Sequence, residues 1–121
     1  MKSFVSLNKN RDFIRAYHKG RSAVTPCLAL YIRPNGKPVN RVGITVSKKI
    51  GGAVERNRAK RIIRAAYVQA APQLRPGFDL VFVARSSTVR KKTQDVYNAL
   101  IGAARRENLL MDCTLRAEDS E

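Results

Sequence analysis

Positive charge dominates this chain and is distributed unevenly along it. Of the 121 residues, 24 are Lys or Arg and 9 are Asp or Glu, which gives a formal net charge of +15. Residues 1–106 contain 23 of the basic residues but only four of the acidic ones, and residues 107–121 contain the other five acids with a single Arg. Like charges at this density repel one another in a compact monomer, whereas a neighbouring polyanion is attracted by them. The first 106 residues are therefore expected to fold into a surface for a polyanionic partner.

Nucleic acid and an anionic membrane are the two partners that such a charge fits. A membrane surface usually binds an amphipathic helix with bulky apolar anchors, or a lipidated chain, and neither is evident. No apolar run approaches the roughly 18–20 residues of a membrane span, and the N-terminus leads at once into charged sequence, unlike a signal peptide. Cys27 and Cys113 have no second cysteine pair and no clustered His, so we interpret them as reduced thiols. These features predict a cytoplasmic nucleic-acid-binding protein.

The hydrophobic pattern predicts three helices and three strands. The helices are expected over residues 8–19, from about 53 to 71 and over 94–108, and the strands over residues 23–33, 39–46 and 78–84. The first two strands flank a turn at residues 34–37 and are expected to pair as a hairpin. This order of helices and strands predicts one sheet with helices packed against it. We expect a single domain over residues 1–110 and an acidic, flexible tail over residues 111–121.

The second predicted helix separates apolar from basic residues. Its apolar arc consists of Ala59, Ile62, Ile63, Ala66, Tyr67 and Ala70, and its opposite arc of Arg56, Asn57, Arg58, Lys60, Arg61 and Arg64. Like charges one turn apart destabilise a helix by a few tenths of a kcal/mol each. A helix that needed only solubility would alternate these cations with acids, but Glu55 is the one acid present. The basic arc therefore indicates a nucleic-acid-binding surface.

Two lysines and two glycines precede this helix. Lys48 and Lys49 stand just before Gly51 and Gly52, where the backbone could approach an anion and the helix N-terminus offers free N–H groups. The glycines taken alone are equally compatible with a simple turn. The array as a whole favours anion binding.

This segment resembles the bacterial ribonuclease P protein component. The similarity lies in Ser47-Lys48-Lys49-Ile50-Gly51, Ala53-Val54, Arg56-Asn57-Arg58, Lys60-Arg61 and Ile63-Arg64, in which the Arg-Asn-Arg run is the family's hallmark. It continues in Lys9-Asn10, Asp12-Phe13, Tyr17, Gly20 and Arg41-Val42-Gly43 with Val46, and so covers roughly residues 7–108. The chain departs from the family at two positions, and both departures are minor. The family often has Asn or Arg where this chain has Gly52, and frequently Phe where this chain has Tyr17.

The resemblance implies a fold and two RNA partners. The fold is an α/β (α+β) two-layer sandwich with three helices and a central, mostly antiparallel sheet of about four strands. One βαβ connection would be left-handed, against the general right-handed rule. The residues implied to contact the catalytic RNA are Lys48, Lys49, Arg56, Asn57, Arg58, Lys60, Arg61 and Arg64. A cleft between the first helix and the sheet would hold the single-stranded 5′ leader of precursor tRNA, through Phe13, Tyr17 and Tyr31.

Aromatic residues suit such a cleft, because unstacked bases of single-stranded RNA stack on aromatic rings. Phe13 is equally compatible with plain core packing. Tyr17 and Tyr31 are better candidates, since a phenol tolerates partial exposure.

The sequence contains no residue set that could cleave RNA. His18 is the only histidine and has no paired carboxylate nearby, and no metal-ligand spacing, phosphate loop or paired acids are evident. We therefore expect no catalytic residue and no metal or other cofactor bound by the protein alone. The resemblance implies instead that the RNA subunit cleaves precursor tRNA with Mg²⁺ at the scissile phosphate.

Two other kinds of nucleic-acid-binding protein remain as alternatives. A small basic ribosomal protein, or another protein that binds structured RNA, would share the charge, the size and the aromatic residues. A DNA-binding regulator would require a helix-turn-helix pair or a dimer interface, and the sequence indicates neither.

Overall fold

A five-stranded sheet forms the centre of the computed structural model, which describes residues 5–7 and 9–111. The strands are β1 (Val5–Ser6), β2 (Arg21–Val24), β3 (Leu28–Pro34), β4 (Arg41–Thr45) and β5 (Phe78–Ala84). The helices are α1 (Asn10–Lys19), α2 (Ala53–Ala70) and α3 (Thr93–Arg106), with short 3-10 turns at Lys48–Ile50, Ala71–Gln73 and Thr88–Arg90. The mixed α and β class, with three helices on one sheet, is as predicted; the strand count is five instead of four.

The strand order is β1-β4-β5-β3-β2, which makes β5 the central strand. It runs antiparallel to β3 and parallel to β4, so the sheet is mixed. The predicted hairpin between β3 and β4 is therefore wrong. Both faces of β5 are buried, one through Leu80 and Phe82 and the other through Val81. A strand buried on both faces is most stable between two neighbouring strands. The segment that joins β3 to β4 crosses the start of β5, where the Asn35 N–H donates to the Gly77 carbonyl at 2.9 Å.

The hairpin that does form joins β2 to β3, and it divides the single strand expected over residues 23–33. Thr25 closes its turn: the Thr25 N–H donates to the Leu28 carbonyl at 2.8 Å, and its side-chain oxygen accepts the N–H of Leu28 at 3.0 Å. Pro26 lies within this turn, where it does not have to donate to a neighbouring strand. The strand pairing then begins at Val24 and Ala29.

Helices cover both faces of the sheet, which corrects the expected two layers. On one face, α2 and α3 pack against side chains that include Leu30, Ile32, Leu80 and Phe82. On the other face, Ala16 of α1 packs with Leu7 and Val81. The parallel connection from β4 through α2 to β5 is the one to which the left-handed expectation applies, and its hand stays a prediction.

The two ends of the chain lie largely outside the described residues. Asn8, at which the first helix is expected to begin, is not described, and Lys9 directly precedes α1. The predicted acidic tail falls outside as well, except for Met111, whose N–H donates to the Gln73 carbonyl at 2.9 Å. Cys27 is buried with a free thiol, and Cys113 is not described. None of the described helices is long and apolar enough to cross a membrane.

Candidate nucleic-acid interface

The two arcs of α2 are placed as the sequence predicts. Ala59, Ile63, Ala66, Tyr67 and Ala70 are buried against the sheet and α3, and Ile62 is partly buried at the edge. The opposite arc faces solvent: Asn57, Arg58, Lys60, Arg61 and Arg64 are exposed, and Arg56 is half-buried. Together with the exposed Lys48 and Lys49, these residues are called the α2 surface below.

At the start of α2, backbone groups that the sequence suggested for anion binding already have partners within the protein. Gly51 has a φ of 147°, a conformation that favours glycine. The N–H of Gly52 is already bonded to the Glu55 carboxylate at 3.1 Å, and the Arg56 Nε donates to the Gly52 carbonyl at 3.4 Å. The one acid of α2 therefore caps its own helix. The glycines form a turn, and Lys48 and Lys49 supply the charge beside it.

A second basic segment, residues 85–92, lies next to the α2 surface and was not singled out from the sequence. Its cations are Arg85, Arg90, Lys91 and Lys92. Because β4 and β5 are parallel and pair Thr45 with Val83, the segments that follow them, with Lys48 and with Arg85, leave the sheet at the same edge. The 3-10 turn Thr88–Arg90 also contacts α2. The Arg-Lys-Lys run was visible in the sequence, but only the strand register places it here.

Hydrogen bonds from Thr88 and Ser87 hold this segment in place. The Thr88 side chain is fully buried, its hydroxyl donates to the Cys27 carbonyl, and it accepts the N–H of Arg85 at 2.9 Å. The Ser87 hydroxyl donates to the Pro26 carbonyl at 2.6 Å. The four cations are thus presented on an anchored loop.

The three predicted cleft residues come together on the other face of the sheet, beside α1. The rings of Tyr17 and Tyr31 meet edge to face, with centroids 5.0 Å apart and planes at 84°. The Tyr17 hydroxyl is hydrogen-bonded to the Thr45 hydroxyl at 2.9 Å, and 37% of Tyr17 is exposed. We call Phe13, Tyr17 and Tyr31 the aromatic cleft.

Phe13 is the member of this group that packs into the core. It is half-buried and packs with Leu7, Ala16 and Val81. Its ring lies so close to Gly43 that a Cβ at that position would come within 2.5 Å of two ring carbons. Phe13 therefore contributes core packing. Of the three rings, Tyr17 is the exposed one, and Tyr31 is half-buried like Phe13.

Cations surround a polar cavity of about 400 Å³ at the end of the same face. It is lined by Lys9, Arg11, Asp12, Arg15, Arg33, Asn35, Lys37 and Arg41, and is called the cationic pocket below. Arg41 forms two hydrogen bonds with the buried Asp79, Nε to Oδ1 at 2.8 Å and Nη2 to Oδ2 at 2.7 Å, and lies 3.6 Å from Asp12. The sequence reasoning did not identify this pocket, because its residues come from two distant stretches of the chain, residues 9–15 and 33–41.

The pKa of Asp79 lies below its ordinary value. Burial has the largest single effect and raises this pKa, but hydrogen bonds from Arg41 and Asn35, with the positive charges of Arg41 and Arg33, outweigh it. The same ion pair raises the pKa of Arg41. Both groups are therefore charged, and their pairing fixes the floor of the pocket.

The described residues contain no group of three or more His, Cys, Asp or Glu that could hold a metal ion. His18 is exposed on α1. The α2 surface and the aromatic cleft offer cations and aromatic rings, which suit binding to a phosphate backbone and to bases.

Comparison with known proteins identifies the family. The family model described as Ribonuclease P matches residues 1–107. The chain belongs to the ribonuclease P protein family. The ribonuclease P protein component of Alkaliphilus oremlandii is 37% identical over 110 residues, covering 91% of this chain and 96% of the relative. That of Clostridium botulinum is 38% identical over 104 residues, covering 85% and 94%.

Solved structures of ribonuclease P proteins share this fold. The protein from Staphylococcus aureus superimposes with a TM-score of 0.77 at 31% identity, covering 88% of this chain and 97% of its own. The protein from Thermotoga maritima gives 0.75 at 28% identity, covering 84% and 96%. A ribonuclease P protein component is part of a ribonucleoprotein nuclease that processes tRNA. Family membership therefore implies an RNA partner and removes the support for a ribosomal protein or a DNA-binding regulator.

Proposed function

We propose that this chain binds the catalytic RNA of ribonuclease P through the α2 surface and the 5′ leader of precursor tRNA through the aromatic cleft. In that role it assists the Mg²⁺-dependent endonucleolytic cleavage that matures the 5′ end of tRNA. The bacterial cytoplasm is the proposed location.

One observation carries the proposal: two chemically different surfaces lie on opposite sides of the sheet. The α2 surface is almost purely cationic and points away from the sheet, while the aromatic cleft lies between α1 and the other face. Cations that neutralise phosphates release counterions and bind structured RNA through its backbone. Exposed rings stack with bases that are free of pairing. The separation allows both RNAs to be held at the same time.

The chemical step is assigned to the RNA in this proposal. Mg²⁺ held by the RNA would activate the attacking water and stabilise the leaving oxygen at the scissile phosphate. The protein would reduce repulsion between two polyanions and keep the leader in place, so that substrate is bound at lower Mg²⁺ concentrations. Its own residues then contribute binding and orientation without forming or breaking a bond.

Capture of RNA from a cell extract tests the choice of partner. The immobilised chain is expected to enrich the ribonuclease P RNA, and a variant with Arg58→Ala and Lys60→Ala is expected to enrich it less. Preferential enrichment of ribosomal RNA by the wild-type chain would contradict the proposal.

A further inference from the structure

The cationic pocket adjoins the aromatic cleft along the strands. In the strand register, Asp79 of β5 lies between Arg33 of β3 and Arg41 of β4. All three residues lie on the face of the sheet that α1 covers. Two residues along the same strands, Tyr31, Val81 and Gly43 form the next row on this face. At about 3.3 Å per residue, the pocket floor lies about 7 Å from the row that contains Tyr31. A chain of nucleotides that contacts Tyr31 and runs along β3 toward Arg33 would therefore reach the pocket.

The pocket has an excess of unpaired positive charge. Of its six cations, Arg41 is paired with Asp79 and lies near Asp12. Among the residues that the structure describes, the other five cations form no ion pair: Lys9, Arg11, Arg15, Arg33 and Lys37. Five like charges around one cavity repel one another, and an anion inside it would reduce that repulsion.

Internal hydrogen bonds hold the walls of the pocket before any ligand arrives. The Asn35 amide donates to Asp79 Oδ1 at 3.0 Å and to the Val39 carbonyl at 3.2 Å, and its oxygen accepts the Lys37 N–H at 2.7 Å. Arg41 is fixed by its two bonds to Asp79. These bonds order the backbone around Asn35 and the Arg41 side chain, so this part of the pocket loses little conformational freedom when a ligand binds.

We propose that the cationic pocket binds a phosphodiester group of RNA, and that this group belongs to the leader whose bases contact Tyr17 and Tyr31. The inference rests on the proposed function. Arg33 carries the most weight, because it is on the same strand face as Tyr31 and, among the described residues, its guanidinium is in no ion pair, so it can form charge-assisted bonds with phosphate oxygens. The leader is favoured over the catalytic RNA because the pocket and the α2 surface lie on opposite faces of the sheet.

A series of precursor tRNAs with progressively longer leaders tests this inference in the reconstituted ribonucleoprotein. With wild-type protein, affinity should rise with leader length and show a step when the leader reaches the pocket. Arg33→Gln should remove that step, weakening long-leader precursors about tenfold, and should leave mature tRNA and one-nucleotide leaders unchanged. Lys37→Gln should act in the same direction. Arg106→Gln, an exposed cation in the last turn of α3, removes the same charge elsewhere and should leave the step intact.

Three results would overturn parts of the account in distinguishable ways. An equal effect of Arg33→Gln and Arg106→Gln would show that only net charge matters and that the pocket is no site. Weaker binding of the catalytic RNA by Arg33→Gln, with the leader step preserved, would assign the phosphate to the catalytic RNA instead. The absence of any precursor preference in the wild-type particle would contradict the proposed function itself.

Discussion

Arg41 and Asp79 form a two-point ion pair between neighbouring parallel strands, with N–O distances of 2.8 and 2.7 Å. The Asp79 side chain is completely buried, whereas 22% of the Arg41 side chain is exposed. A buried carboxylate is tolerated only while its partner donors are in place. This pair therefore links the stability of the central strand to the floor of the cationic pocket.

Loss of the Arg41 side chain should destabilise the fold. Arg41→Ala leaves the Asp79 charge buried without its main partner, and we expect the free energy of unfolding to fall by about 3–5 kcal/mol. Urea denaturation followed by circular dichroism measures this. Arg106→Ala is the control and should change the value by less than about 0.5 kcal/mol. A loss below about 1 kcal/mol for Arg41→Ala would show that the pair behaves like an exposed salt bridge.

Stability should also depend on pH through Asp79. Its pKa is lower in the folded state than in the unfolded chain, so its stabilising contribution is complete above the ordinary carboxyl pKa of about 4. The contribution is lost as the pH falls through the lower, folded-state pKa. Unfolding free energies measured from neutral pH down to about pH 3 should fall more steeply for the wild type than for Asp79→Asn. Parallel curves for the two proteins would contradict this assignment.

The α2 surface should contribute to RNA affinity without contributing to the fold. Arg58→Ala or Lys60→Ala should weaken binding of the catalytic RNA and reduce the slope of log affinity against log salt by up to about one unit each. The far-UV circular dichroism spectrum should not change, because both side chains are exposed. Arg56→Ala would test RNA binding less specifically, since the Arg56 Nε also donates a hydrogen bond to the Gly52 carbonyl within the protein. An altered spectrum with unchanged RNA affinity would mean that this face of α2 is structural.

The sequence was sufficient to predict the faces of α2 and insufficient to predict the sheet. A helix repeats every 3.6 residues within one continuous segment, so the positions of Ala59 and Arg58 follow from local spacing. Strand pairing depends on which strand is buried on both faces, and it was the apolar β5 that separated β3 from β4. The cationic pocket combines α1, β3, the following loop and β4, which no local pattern brings together. The aromatic cleft was anticipated only through the family resemblance.

The aromatic cleft should distinguish precursor from mature tRNA. Tyr31→Ala or Tyr17→Ala should weaken precursor binding by roughly 1–3 kcal/mol, the size of one stacking contact. Mature tRNA, which has no leader, should bind as before, and assembly with the catalytic RNA should be unaffected. Tyr17→Phe keeps the ring and removes only the hydrogen bond to Thr45, so it should retain most of the precursor preference. Equal losses for precursor and mature tRNA would place the leader elsewhere.

Cleavage of precursor tRNA at low Mg²⁺ concentration, with the catalytic RNA and this chain present separately and together, tests the central claim most directly. The account predicts rapid 5′ maturation only when both are present, no cleavage by RNA-free protein, and an unchanged rate with His18→Ala. Cleavage by the protein alone, or a rate for the RNA that the protein does not raise, would contradict it.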